Sequence, residues 1–149
     1  MKPLFIEKQR FNQWWLWSLL IAALVVPIVV LYNETTYSSS LTGLLIVLLV
    51  MILFVVLRMK TVVMQENIQL TYFPFVNKTI NLSDIKTMKV INYGFVGGWG
   101  IRLWTQYGTI YNVRGNKGLH IKLKNGKQLV IGTQKPQELE KVVEQLNNK

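Results

Sequence analysis

Residues 14–32 read WWLWSLLIAALVVPIVVLY, nineteen residues without a charge. As an α-helix, rising about 1.5 Å per residue, they cover roughly 28 Å, close to the ~30 Å hydrocarbon core of a bilayer. A second uncharged run follows at 41–57, LTGLLIVLLVMILFVVL. Met59 and its neighbours extend it to an expected helix over about 41–59. Between the runs lies NETTYSSS, 33–40, polar and short enough for a tight reversal. The spacing therefore predicts two antiparallel helices. Apolar residues on every face argue against core helices of a soluble protein, which keep a polar stripe. A cleavable signal peptide is also disfavoured. The first run exceeds the usual apolar region of roughly 7–15 residues, no small-x-small cleavage site follows it, and a second run comes next.

Charge orients the pair. Lys2, Lys8 and Arg10 precede the first run, Arg58 and Lys60 follow the second, and the loop between them carries only Glu34. An excess of Lys and Arg marks the cytoplasmic side, so both termini are expected there, with the chain a multi-pass protein of the cytoplasmic membrane. Trp14, Trp15 and Trp17 stand at one end of the first run and Tyr32 at the other, as interfacial anchors; Arg58 and Lys60 complete the set. Pro27 is expected to kink the first helix locally. Ala22, Ala23 and Gly43 permit close helix contact. Neither run contains an ionisable residue, the usual mark of an ion or proton pathway. The hairpin reads as an anchor.

Composition narrows the rest. The 149 residues hold 17 Lys+Arg against 7 Asp+Glu, for a net charge of +10, with one His and no Cys. Without Cys there are no disulfides, thiolate zinc sites, cysteine nucleophiles or iron–sulfur clusters. A lone His disfavours a His-rich metal site. No cofactor is implied.

From Thr61 the chain changes character. Short β-rich stretches recur at TVVMQ, IQLTYF, IKTMKVINY, IRLW, TIYNV, LHIKL and QLVI, separated by turn residues. Such spacing predicts an antiparallel sheet or small barrel. In the closing hairpin a two-residue Asn125-Gly126 turn would set Leu129 opposite Lys122 and mix the faces. A three-residue loop, Lys124-Asn125-Gly126, pairs Ile121 with Leu129 and Leu119 with Ile131, with Gly126 left-handed. One-sided burial favours this second register and leaves Lys122 and Lys124 in solvent. After Pro136, the residues Leu139, Val142, Val143 and Leu146 keep helical spacing. They predict an amphipathic helix over about 136–147.

About seven strands followed by one helix is the layout of pleckstrin-homology domains, and several motifs resemble the bacterial pleckstrin-homology-like (PH-like) family. They are Asn81-Leu82-Ser83-Asp84-Ile85 with Lys89-Val90, the Gly97-Gly98-Trp99-Gly100-Ile101-Arg102 segment, Asn112-Val113-Arg114-Gly115, Lys124-Asn125-Gly126-Lys127, Ile131-Gly132-Thr133 and Pro136-Gln137-Glu138-Leu139. The resemblance covers residues 61–149 in detail and residues 1–60 in layout only, since bacterial members often carry two transmembrane helices before the domain. It implies a membrane α-hairpin (residues 1–60) followed by a cytoplasmic PH-like β domain (residues 61–149). It implies no settled ligand.

Candidate chemistry is sparse. The glycine-rich segment 94–100 lacks the Gly-Lys-Ser/Thr ending of a phosphate loop and any βαβ setting, and reads as a bend between strands. Trp99 within it either fills the barrel or touches lipid. Asp84 and His120, the only Asp and the only His, would need a reach of ~3 Å to act as an acid–base pair; the simpler roles are a turn-capping Asp and a surface His. The basic residues Arg102, Arg114, Lys117, Lys122, Lys124 and Lys127 are the candidate contacts for an anionic lipid or head group. A Lys or Arg at an anionic leaflet contributes about 1 kcal/mol.

The expected function is that of a membrane-anchored, non-enzymatic binding or scaffolding module. Its candidate partners are the bilayer, anionic lipids, a membrane protein or further copies of itself. The alternatives are an accessory subunit of a transport or other membrane complex and, with less support, a basic nucleic-acid-binding barrel.

Overall fold

A computed structural model of the chain describes residues 2–32 and 37–148. It divides into two compact units, Arg10–Leu57 and, separately, Met1–Gln9 with Arg58–Lys149.

The first unit is helical. Helix α1 spans Trp14–Tyr32, as expected, and α2 spans Tyr37–Val56. The rings of Phe11 and Phe54 meet edge to face at 5.3 Å. A Cβ at Gly43 would lie 3.7 Å from that of Pro27. Residue 11 beside 54 and residue 27 beside 43 make the helices antiparallel. Helix α1 is long and apolar enough to cross a membrane; the apolar part of α2, Ser40–Val56, is shorter. The expected extension of the second helix to residue 59 does not occur. Arg58, Met59 and Lys60 are taken by a strand on whose inward face Met59, opposite the buried Tyr72, is 1% exposed. Residues 33–36 of the expected reversal lie outside the described residues.

The second unit is β-rich, with nine strands among the described residues rather than about seven. The two additional strands, one at Phe5–Arg10 and one at Val76–Asn81 where turn residues were expected, are corrections to the sequence reading. Residues expected to be a cytoplasmic tail form β1 (Phe5–Arg10), which joins β2 (Arg58–Val63), β3 (Asn67–Phe73) and β4 (Val76–Asn81) in a sheet of order β1-β2-β3-β4. Alternation explains it. Phe5, Glu7 and Gln9 are buried while Ile6, Lys8 and Arg10 are exposed. Leu4 N–H also donates to the Val63 carbonyl at 2.9 Å.

A 3₁₀ turn at Leu82–Asp84 leads into the second sheet. Its strands are β5 (Ile85–Asn92), β6 (Gly100–Thr105), β7 (Gly108–Asn112), β8 (Lys117–Leu123) and β9 (Gln128–Gly132), in the order β5-β8-β9-β7-β6. The expected all-antiparallel sheet is corrected here too, because β7 and β9 run parallel. Strand β9 inserts between β8 and β7 instead of adding at an edge.

The closing hairpin takes the expected register. Ile121 faces Leu129, Leu119 faces Ile131, and Gly126 has φ 84°. These four apolar side chains are at most 3% exposed, and each contributes about 1.5–3 kcal/mol of gross burial. A one-residue slip of either strand would turn its two members of this set to the opposite face and break both pairs. The other parity, His120, Val130 and Ile110, faces the opposite side. Tyr93, Val96 and Tyr107 cover Val130 and Ile110 there. Helix α3 (Pro136–Asn147) begins with Pro at N1/N2, buries Leu139 and Val143, and packs against β5 and β8.

Polar bonds link the two sheets. Tyr72 hydroxyl donates to the Asn112 carbonyl at 3.4 Å and Gln9 Nε2 to the Gly132 carbonyl at 2.9 Å. Burial pushes the Tyr72 hydroxyl up to about 12.

Candidate functional site

The β8–β9 turn projects two lysines. Leu123 N–H donates to the Lys127 carbonyl, Gly126 N–H to the Leu123 carbonyl, and Lys127 N–H to Asn125 Oδ1. These bonds close the loop, and Lys124 and Lys127 stand exposed on either side of it.

A third lysine comes from the other sheet. On edge strand β4, Lys78 faces Leu70, so it stands on the core-facing side while remaining exposed at the rim. An inward-pointing lysine on an edge strand blocks edge-to-edge pairing, which is one sufficient reason for its presence. Its Nζ lies 5.9 Å from the Tyr111 ring centroid, within reach of a weak cation–π attraction.

Lys78 and Leu123 line two adjoining recesses. One, of about 250 Å³, also has Asp84, Lys124 and Asn125 in its wall. The other, of about 290 Å³, has Trp104, Lys127 and Gln128. Three lysines against one carboxylate leave the lining of the two recesses positive.

Trp104 at the rim is unusual. The β6–β7 register breaks between Arg102 and Thr105, which releases Leu103 and Trp104 from the ladder. Trp104 is 95% exposed and holds a left-handed backbone, φ 55°. That conformation costs a non-glycine residue about 1–2 kcal/mol, and in this chain no burial offsets it.

The six basic residues anticipated from sequence do not form one site. Lys122, Lys124 and Lys127 gather at the turn end of β8. Arg114 and Lys117 stand at its other end, with Lys117 facing Asn92; Lys117 and Lys124 are seven residues apart, roughly 23 Å of strand. Arg102 is half-buried on β6 and donates from Nη2 to the Trp99 carbonyl at 3.4 Å. Lys78 belongs to the groove and was not anticipated. Its signal was present, a lysine at an inward position of a short polar strand, but only with the β3–β4 register known.

The glycine-rich segment links β5 to β6, as expected of a bend. A buried Asn112 organises it, accepting from Gly100 N–H at 3.0 Å and donating to the Tyr93 hydroxyl at 3.2 Å. Burial raises the Tyr93 hydroxyl pKa, and the Asn112 bond opposes the rise. Trp99 is 39% exposed and lines a cleft of about 370 Å³ with Phe95 and Val96.

Asp84 and His120 are not paired. His120 faces Lys89, five residues beyond Asp84, so roughly 15 Å of strand separates them. The expectation of a surface His is corrected: His120 is 5% exposed. Its Nε2 shares a 3.0 Å hydrogen bond with Gln128 Oε1 and its ring meets Tyr107 edge to face. Burial lowers its pKa, the Gln128 bond opposes that, and Lys122 and Lys89 add to the lowering. Among the described residues no group of three or more acidic or His side chains could hold a metal ion.

Of the expected interface anchors, Trp14 and Tyr32 are widely exposed and Trp15 moderately so. Trp17 is half-buried and donates Nε1–H to the Phe11 carbonyl at 2.9 Å. Arg58 and Lys60 are exposed on β2.

No family model, no curated protein and no solved structure matches this chain.

Proposed function

We propose that this protein is a membrane-tethered binding module whose β unit holds an anionic phospholipid head group in the groove of Lys78, Lys124 and Lys127. The observation that carries the reading is the placing of these three exposed lysines, from two sheets, around two recesses that share Lys78 and Leu123, the one with Lys127 also rimmed by a solvent-facing Trp104. In the proposal α1 and α2 both cross the cytoplasmic membrane, and both termini are cytoplasmic by the distribution of Lys and Arg. The β unit is PH-like in its series of short strands closed by a C-terminal helix. It acts by binding rather than by catalysis.

Full-length protein in zwitterionic nanodiscs, titrated with short-chain phosphatidylglycerol or phosphatidylcholine, tests the proposal. Saturable, salt-sensitive binding of the anionic lipid is expected. Each lysine exchanged for alanine weakens it about fivefold, the equivalent of ~1 kcal/mol. Equal binding of both lipids, or an unaffected triple variant, refutes the groove. If the groove fails while the protein copurifies with a larger membrane complex, the accessory-subunit reading takes its place. Salt-dependent binding of single-stranded DNA would favour the basic nucleic-acid-binding barrel.

A further inference from the structure

The anchored end of the β unit carries a second apolar feature, at the β3–β4 tip, three residues along β4 from the groove residue Lys78. Strands β3 and β4 are joined through Pro74-Phe75, and Phe75 N–H donates to the Tyr72 carbonyl at 2.8 Å, closing a turn about Phe73-Pro74. Phe73 and Phe75 at this tip are 41% and 61% exposed. The tip has a definite position along the sheet: Phe73 pairs with Arg58, and the Arg58 guanidinium carbon lies 4.9 Å from the Phe73 ring centroid. Val56 is the last residue of α2 and Arg58 the first of β2. A helix that crosses the bilayer therefore delivers Arg58 to the head-group region, and the strand register brings Phe73 with it.

We propose that the Phe73-Pro74-Phe75 tip inserts into the interfacial layer of the same bilayer that holds the helices. The occupant of this surface is lipid, for two reasons. Two exposed phenylalanines match the apolar boundary of the acyl chains, and the neighbouring cations Arg58 and Lys60 match the phosphates above it. The tip adds a contact beyond the two helix ends and restricts how the β unit turns against the membrane. The inference rests on α2 crossing the bilayer and is independent of lipid charge, which separates it from the groove.

The chain has no Cys, so one introduced Cys gives a unique label. Full-length Phe75→Cys, Asn125→Cys, Val26→Cys and Leu49→Cys, each carrying an environment-sensitive fluorophore, are placed in phosphatidylcholine nanodiscs. Lipid bearing a doxyl quencher near the head group is then added, with a deeper quencher for the two helix labels. The expected result is blue-shifted, quenched emission at position 75 and water-like, unquenched emission at 125. Phe73→Cys serves as a second probe of the tip should the first variant misfold. Quenched helix labels beside a water-like label at position 75 overturn the tip insertion alone. Equal quenching at 75 and 125 also overturns it. Unquenched labels at 26 and 49 overturn the membrane reading and the insertion together.

Discussion

Glu7 and Thr133 are 126 residues apart in sequence and joined by a 2.6 Å hydrogen bond, from the Thr133 hydroxyl to Glu7 Oε2. The second carboxylate oxygen accepts from Gln134 N–H at 2.7 Å. Both side chains are buried. The bond ties the strand that precedes α1 to the segment that follows β9. A charged acceptor with two fixed donors makes this a strong latch.

Removing that latch destabilises the protein. Glu7→Ala leaves two donors unpaired in a buried setting and costs about 2–3 kcal/mol. Thr133→Val costs less, and the double variant loses less than the sum, because both touch one network. Thermal unfolding of the full-length protein in mild detergent measures each loss. An unshifted midpoint for Glu7→Ala would refute the latch.

Two glycine substitutions separate space from conformation. Gly108 has φ 78°, and a Cβ there would lie 2.1 Å from the Gln128 carbonyl oxygen; Gly126 has φ 84° with open space around it. Gly126→Ala costs about 1–2 kcal/mol from the left-handed backbone alone. Gly108→Ala costs more, since β9 backbone must move as well. The same unfolding assay ranks them, and the reverse order contradicts the β7–β9 contact.

Trp104→Gly stabilises the protein by about 1 kcal/mol, because glycine accepts φ 55° without the steric penalty and the indole packs on little. If Trp104 serves the groove, the same variant weakens anionic-lipid binding. A gain in midpoint with reduced binding is the expected pair of results. A destabilised variant would show that the indole is packed.

His120 makes stability pH-dependent. Its folded pKa lies below the ordinary value of 6.5, chiefly through burial. Above that value both states hold neutral imidazole and nothing is lost. As pH falls through 6.5 toward the folded pKa, the unfolded chain takes up the proton first, so stability declines. His120→Gln flattens this decline in unfolding midpoints measured between pH 7 and pH 5. A variant with an unchanged pH slope contradicts the assignment.

The membrane reading has its own test. The native protein is expected to resist alkaline carbonate extraction, and a tag on its last residue to resist protease added outside intact cells. Release by carbonate, or digestion of the tag, refutes it.

Local pattern alone determined much of this protein. Nineteen uncharged residues specify α1, because no turn or charge interrupts them. The Leu119, Ile121, Leu129 and Ile131 alternation specifies the closing hairpin, since only one register buries all four. The spacing from Leu139 to Leu146 specifies α3. Tertiary structure decided what depends on partners distant in sequence. Residues 5–10 read as a charged tail because their inward positions include Glu7 and Gln9, whose burial is tolerable only with Gly132, Thr133 and Gln134 beside them. His120 looked solvated among lysines until Tyr107 and Gln128 closed over it. Lys78 joined the groove only once β4 was set against β3. For Glu7, Gln9 and His120 the deciding free energy is satisfaction of a buried polar group by a partner in another element, and for Lys78 it is strand pairing; periodicity encodes neither.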